Sequence, residues 1–236
     1  MKGALSFHVT SFKKNIHRDL CLLEAPTLNF PAVNLRKPSE MIIGDMVYFY
    51  GYPGGADAFF TEGRISALHP MENSFVVKTT AGFSSGGSGG GLFDGKGNLI
   101  GITTFFSAGH SGGYYALPSD WVIDLRQSKK FKVNTIQGLT FWEKDLSEQP
   151  NFLKFTKYIS EQNWKSAFEF SSQWRVLEPS NYDALLAYGR SLIHYERKTE
   201  AIEILEKAST LAPRNANILF ALEQALTGSE SSEKLL

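Results

Sequence analysis

The sequence predicts a chain in two parts, an all-β region followed by an α-helical region. From Met1 to about Pro118, apolar residues recur in short runs that Gly, Pro and Asn interrupt. After Gln149 the apolar residues follow a helical period instead. The chain has 236 residues, of which 42% are hydrophobic, so it is long enough for one or two domains with substantial cores.

The β region comprises residues 1–128. Its apolar or alternating runs are, in chain order, LSFHVTSF, LCLLEA, MVYFYGYP, GRISALH, SFVVKTT, GGGLF, LIGITTFF and GGYYALP. Runs of this length, separated by turn residues, are typical of an antiparallel barrel or sandwich. The stretch SDWVIDLRQSKK then predicts one helix, with Ser119 as its N-cap and basic residues in its last turn.

The helical region comprises residues 148–228. A polar linker over 129–147 precedes it, and a tail over 229–236 follows it. Ala167 and Ala201 lie 34 residues apart, and so do Pro179 and Pro213. This offset, with small residues where paired helices approach, resembles the tetratricopeptide repeat. A generic helical bundle is the alternative.

That resemblance implies about five helices in antiparallel pairs, with a concave face that binds an extended peptide of a partner protein. A second possibility is that the repeats only brace the β domain. The first helix of each pair would supply the concave wall, with the charged residues Lys154, Lys157, Glu161, Asp183, Arg190 and His194.

Composition excludes several classes of function. The 24 basic and 24 acidic side chains balance, which argues against a broad nucleic-acid footprint. Cys21 is the only cysteine, so an intrachain disulfide or a cysteine-rich zinc site is excluded. No apolar run approaches the ~20 residues of a membrane span. No metal or organic cofactor is implied.

The glycine-rich stretch SSGGSGGGLFDGKGNLIGITT, which starts at Ser84, permits three interpretations. A flexible linker is disfavoured because the β pattern continues beyond it. A phosphate-binding loop is disfavoured because Gly97 follows Lys96 where Ser or Thr is needed, and because a strand rather than a helix comes next. A loop that presents a nucleophilic serine remains.

The segment GGSGGGLFDGKGNLIGI resembles the serine segment of the trypsin-like protease superfamily, especially its HtrA-like members. Gly91 departs modestly from the proline that is usual there. The resemblance implies that Ser88 is the nucleophile and that the backbone N–H groups of Gly86 and Ser88 form the oxyanion hole. HRDLCLLEA resembles the strand that carries the triad acid, which points to Asp19.

The resemblance covers about residues 3 to 127 and implies a double β-barrel whose first barrel is incomplete. The 69 residues from Asp19 to Ser88 suit the chain order His, Asp, Ser. The triad histidine would precede Asp19 by a few tens of residues, yet only eighteen residues precede it. We therefore expect a misassigned start, a fragment or a degenerate protease. None of His8, His17, His69, His110 and His194 has the expected place in the order, although His110 would lie near the cleft.

The implied function is a serine endopeptidase that acts on protein or peptide substrates. The residues expected to line its primary pocket are Gly82, Thr103, Thr104, Phe105 and Tyr115, none of which is acidic. An apolar or narrow pocket is therefore expected. Relatives of this kind imply an extracytoplasmic bacterial location. The alternative is a non-catalytic, protease-derived scaffold that binds protein.

Overall fold

A computed structural model describes residues 7–53, 58–107, 113–130 and 138–227. These residues contain eight β-strands and six α-helices. The strands are β1 Ser11–Asn15, β2 Leu20–Glu24, β3 Met46–Gly51, β4 Phe59–Met71, β5 Ser74–Thr79, β6 Gly91–Asp94, β7 Leu99–Ser107 and β8 Gly113–Pro118. The helices are α1 Asp120–Arg126, α2 Asn151–Ser160, α3 Trp164–Leu177, α4 Tyr182–His194, α5 Lys198–Leu211 and α6 Ala216–Thr227.

Six strands close into an antiparallel barrel in the order β3-β4-β5-β8-β7-β6, with β6 paired back to β3. Its interior is filled by apolar side chains that are at most 1% exposed, among them Val47, Phe49, Ile65, Leu92 and Ile100. At Gly63 of β4 a Cβ atom would lie 2.1 Å from the backbone nitrogen of Ala81. The backbones therefore approach more closely here than any other residue would allow.

Strands β1 and β2 form a separate two-stranded hairpin beside the barrel. β1 begins at Ser11, later than the alternating run LSFHVTSF predicts. Arg18 in the hairpin turn fixes its position. Its guanidinium pairs with Glu72 at 2.7 Å and with Asp124 at 2.9 Å, and lies 4.7 Å from the ring centre of Trp121.

Helices α2 to α6 reproduce the 34-residue offset of the sequence. α3 begins at Trp164 and α5 at Lys198, while α4 begins at Tyr182 and α6 at Ala216. Ala167 and Ala201 are fully buried between neighbouring helices. At Gly189 a Cβ would come within 2.6 Å of Leu205, which shows how closely α4 and α5 pack.

The helices do not form a separate module, because they share a core with the outer face of the barrel. Tyr115 and Leu117 of β8 pack in one cluster with side chains from the hairpin, α1 and the helices, namely Leu20, Trp121, Leu125, Phe152, Leu153, Phe155, Trp174, Ala184 and Ala187. Phe141, in the predicted polar linker, belongs to this core and is 0% exposed. This part of the linker is thus structural.

Polar contacts tie the first turns of α4 and α6 to β4. The Nδ1 of His69 lies 2.6 Å from a carboxylate oxygen of Asp183, and both side chains are buried. The hydroxyl of Tyr182 donates to the carbonyl oxygen of Leu68. The side-chain amide of Asn217 donates to the carbonyl oxygen of Ser66 at 3.0 Å.

The concave wall expected from the repeat resemblance is therefore partly occupied by the barrel. Asp183 faces His69 instead of solvent, and burial lowers the pKa of Arg190. Lys157, Glu161 and His194 remain exposed.

Helix α1 follows the predicted position, but its predicted cap acts elsewhere. Ser119 makes no side-chain cap bond, and its hydroxyl donates to the carbonyl oxygen of Arg36 at 2.7 Å. None of the helices described has the length and apolar character needed to cross a membrane.

Substitution of Asp183 by Ala should lower the free energy of unfolding by about 3 kcal/mol, because it leaves a buried imidazole without its partner. Chemical denaturation of the whole chain measures this. Glu200→Ala is a matched control, since Glu200 also lies in a first turn and pairs with Arg197, but in solvent. It should change stability little. Equal effects of the two substitutions would contradict a buried role for Asp183.

Candidate active site

Ser88 stands on an exposed turn between β5 and β6. Gly86 and Gly89 flank it with φ values of +88° and +86°, a conformation that residues with a Cβ rarely adopt. The amide of Gly89 donates to the carbonyl oxygen of Thr103 at 2.8 Å. The hydroxyl of Thr103 lies 2.6 Å from the carbonyl oxygen of Gly87. The turn is therefore held rigidly against β7.

The backbone N–H groups of Gly86 and Ser88 on this turn are available to a ligand. Within the part of the chain that the structure describes, the amides of Gly86 and Ser88 donate to no protein acceptor. The neighbouring amides of Gly87 and Gly90 are both satisfied, by the carbonyl oxygens of Ser84 and Gly87. Unsatisfied amides beside a serine hydroxyl are suited to stabilise a developing oxyanion.

Asp19 is the last residue of the β1–β2 turn. Its φ of +51° is in the left-handed region, which Asp tolerates better than most residues. Its amide donates to the carbonyl oxygen of Ile16 at 3.0 Å, and the Asn15 side chain accepts from the amide of Arg18 at 3.1 Å. These local bonds fix the direction in which the Asp19 carboxylate leaves the hairpin.

Thr104 of β7 contacts both Ser88 and Asp19. The hydroxyl of Ser88 donates to the carbonyl oxygen of Thr104 at 2.5 Å. The hydroxyl of Thr104 donates to Oδ2 of Asp19 at 2.8 Å. One buried residue thus brings together a serine and an aspartate that are 69 positions apart in the sequence.

The environment of Asp19 acts on its carboxylate in two directions. Desolvation is the largest cause and raises the pKa of Asp19, and the nearby charge of Glu143 raises it further. The hydrogen bond from Thr104 lowers the pKa but does not offset the other two. The second oxygen of Asp19, Oδ1, accepts no hydrogen bond from the described residues.

None of the histidines that the structure describes forms a hydrogen bond or ion pair with Ser88 or Asp19. His17 pairs with Glu72 at 3.2 Å, His69 pairs with Asp183, and the ring of His194 stacks on Trp164 at 4.2 Å. His8 is exposed in the segment before β1. His110 lies outside the described residues.

The expected pocket residues have different positions. Gly82 faces the ring of Tyr114, since a Cβ there would lie 3.3 Å from it. Thr103 is buried under the serine turn, and Thr104 links the two polar residues. Phe105 is half-buried and stacks on Tyr115 with ring centres 4.6 Å apart.

Tyr115 differs most from its expected role. It is 1% exposed and lies in the core shared with the helices, near His69 and Phe152. It faces outward from the barrel because its neighbours Tyr114 and Ala116 face the interior. Burial raises its pKa to about 12. Tyr114, one residue earlier, is the tyrosine beside Gly82.

Sequence reasoning missed two features of this site. Thr104 was expected to line a pocket, and no sequence signal shows that it would bond Asp19. Trp142, in the predicted linker, stacks near Phe105 at 4.7 Å, and its aromatic character was the one available signal. Among the described residues, no group of three or more His, Cys, Asp or Glu side chains is arranged to hold a metal ion.

Comparison with known proteins finds a family model that matches the β region. Residues 5–102 match the model of the trypsin-like peptidase domain, a range that includes the hairpin, the serine turn and strands β3 to β6. This confirms the resemblance drawn from the serine segment.

Individual proteins that are similar to this chain include DegP-like serine proteases. The chain is 33% identical over 119 residues to a probable periplasmic serine endoprotease, DegP-like, of Hahella chejuensis, covering 48% of this chain and 25% of the relative. It is 34% identical over 110 residues to the DegP-like protein of Chlamydia muridarum, covering 43% and 22%. The chain thus spans about a quarter of the length of these relatives.

Solved structures give a partial superposition. The HtrA-type protease AlgW with decapeptide aligns with a TM-score of 0.47 and 28% identity over 52% of this chain and 40% of that chain.

The pKa of Asp19 should respond in opposite directions to its two neighbours. Thr104→Val removes the hydroxyl that favours the ionised form, so the pKa should rise. Glu143→Gln removes a repelling charge, so the pKa should fall. Asp19 is therefore expected to lose its charge at a higher pH in the first variant and at a lower pH in the second.

An NMR titration with ¹³C-labelled aspartate measures these shifts. Thr104→Ser keeps the hydroxyl and serves as the control that should leave the titration unchanged. A shift in the same direction for the Val and Gln variants would show that the described contacts do not govern Asp19.

Proposed function

We propose that this chain carries the serine half of a serine endopeptidase site, with Ser88 as nucleophile and Asp19 as the triad acid. The observation that carries the proposal is the contact of both residues with Thr104. A serine hydroxyl and a carboxylate that both bond the same residue correspond to the two outer members of a triad, in which a base lies between them.

The amides of Gly86 and Ser88 would bind the oxyanion of the tetrahedral intermediate. Both lie on the serine turn, where the attacked carbonyl carbon must come within reach of the Ser88 oxygen. A rigid turn supports this role, because preorganised donors stabilise developing charge without reorganising during the reaction.

A base has to take the proton that the Ser88 hydroxyl donates to Thr104 in this structure. Its natural place is beside Oδ1 of Asp19, where an imidazole N–H could donate to the carboxylate. None of the described histidines lies there. We therefore expect this chain by itself to turn over slowly, since loss of the histidine costs about 10⁶ in turnover in a serine protease.

A second candidate is a non-catalytic scaffold that binds protein through the same barrel. It is favoured because none of the described histidines forms a hydrogen bond with Ser88 or Asp19. A barrel of this kind could bind a peptide next to the serine turn without hydrolysing it. The reactivity of Ser88 distinguishes the two candidates.

The relatives support further features of the proposal. Their names describe periplasmic endoproteases, and one solved relative is a protease with a bound decapeptide. We propose a protein or peptide substrate and an extracytoplasmic location on that basis. For the helical region we propose tetratricopeptide-like repeats that brace the barrel through α2, α4 and α6. Lys157, Glu161 and His194 are exposed, and we propose that they are available to contact a protein partner.

Free imidazole should act as the base if Asp19 and Ser88 are arranged as proposed. Hydrolysis of blocked peptide p-nitroanilides should rise with imidazole concentration, by about 10²-fold. Asp19→Asn should reduce this gain, because the imidazole would lose the partner that orients it. A fluorophosphonate probe with imidazole present should label Ser88.

Ser88→Ala is the control. Because Ser88 is exposed, this variant should have the same melting temperature as the unchanged protein. Imidazole-dependent hydrolysis that persists in Ser88→Ala would contradict the assignment of the nucleophile. If neither labelling nor hydrolysis appears while peptides still bind, the scaffold function is supported.

A further inference from the structure

We infer that Trp142, in the segment that joins the barrel to the helices, forms one wall of the peptide site beside Ser88 and selects an apolar side chain of the bound peptide. The inference rests on the proposed function in placing the peptide at Ser88. It assigns a specificity role to a residue outside the trypsin-like barrel. The segment is defined as residues 138–149 and is called the connecting segment below.

The connecting segment is ordered and is held in place by several hydrogen bonds. The amide of Phe141 donates to the carbonyl oxygen of His17, two residues before Asp19, at 3.1 Å. The amide and hydroxyl of Thr140 donate to the Glu143 carboxylate at 3.0 and 2.8 Å. The side-chain amide of Gln149 donates to the carbonyl oxygen of Trp142 at 2.9 Å. The backbone at Trp142 is thus held from both sides.

These bonds place the indole of Trp142 next to the site. Its ring centre lies 4.7 Å from that of Phe105 and 4.7 Å from that of Phe141. Phe105 directly follows Thr104, whose carbonyl oxygen accepts from the Ser88 hydroxyl. A side chain that contacts Trp142 and Phe105 therefore belongs to a peptide residue close to the bond at Ser88.

The exposure of Trp142 separates it from tryptophans that only fill the core. Trp121 is 1% exposed and Trp174 is 4% exposed, whereas Trp142 is half-buried. Phe105 is also half-buried. Partly exposed aromatic rings at one place offer an apolar surface that a ligand can cover.

Charge near this surface determines which side chain is rejected. Glu143 directly follows Trp142 in the chain, is exposed, and its charge acts on Asp19, so this part of the site carries negative charge. An Asp or Glu of the peptide would be repelled here and would also lose hydration. The preferred residue is therefore aliphatic or aromatic.

Binding of labelled octapeptides to the full-length chain tests the inference. One central residue is Leu, Phe, Ser or Asp and the others are Ala, Gly and Ser, and Ser88→Ala is the background, so hydrolysis cannot interfere. Fluorescence anisotropy should show tighter binding of the Leu and Phe peptides than of the Ser and Asp peptides. Adding Trp142→Ala should weaken the binding of the Leu and Phe peptides by about tenfold. The affinity for the Ser and Asp peptides should not change.

Two further variants keep the test specific. Trp142→Phe retains an aromatic ring and should restore most of the preference, which a variant that merely misfolds could not do. Trp164→Ala removes another half-buried tryptophan, which stacks on His194 in the helical region. This variant should not change the affinity for any of the peptides.

The outcomes separate this inference from the proposed function. If Trp142→Ala leaves the preference intact, if it tightens binding by opening the site, or if no peptide binds, the inference is wrong. Labelling of Ser88 by the fluorophosphonate probe, with imidazole present and Ser88 unchanged, reports on the proposed function alone. If Ser88 is not labelled but the peptide preference still depends on Trp142, the catalytic role is contradicted and the role of Trp142 as a wall of the peptide site is supported.

Discussion

The outer face of the barrel carries large apolar side chains whose exposure to water would be unfavourable. The positions of the neighbouring elements follow from the need to bury them. Along β5 and β8 the residues alternate between two buried environments. Val77 and Ala116 face the interior, while Val76, Tyr115 and Leu117 face outward. A β-barrel in water normally presents polar residues on that face. Here the hairpin, α1, the connecting segment and the helices bury it jointly, so the two halves of the chain share one core.

The candidate site is a consequence of that cover. The hairpin that supplies Leu20 to the shared core also carries Asp19 in its turn, so packing the hairpin against the barrel brings the carboxylate to Thr104. Phe141 fills the same core and brings Trp142 beside Phe105. Residues that stabilise the fold and residues proposed to bind a peptide are therefore adjacent. Where the cover is polar, at His69 and Asp183, the pair is buried and specifies how the helices dock.

The proposed site shows which parts of a serine protease centre a fold can hold without a histidine. The serine turn with the amides of Gly86 and Ser88, and the proposed acid Asp19, are held by backbone bonds and by Thr104. Such preorganisation is the part of catalysis that the fold supplies, whereas proton transfer needs an added group of suitable pKa. A binding scaffold and a protease that needs a base from elsewhere would share this arrangement, and the chemistry of Ser88 distinguishes them.

The sequence by itself determined the features that depend on local pattern. Period-two and helical runs predicted a β region followed by helices, glycines around Ser88 predicted the serine turn, and the motifs resembled those of the trypsin-like superfamily. Only the tertiary structure decided that Thr104 joins Asp19 to Ser88, that Tyr115 faces the helices, that Phe141 belongs to the shared core, and that Trp142 packs beside Phe105. The reason is that alternation shows which residues share a face but not which face another element covers. That choice depends on contacts between residues as far apart as Asp19 and Thr104, which form only when the barrel closes and the helices pack on it.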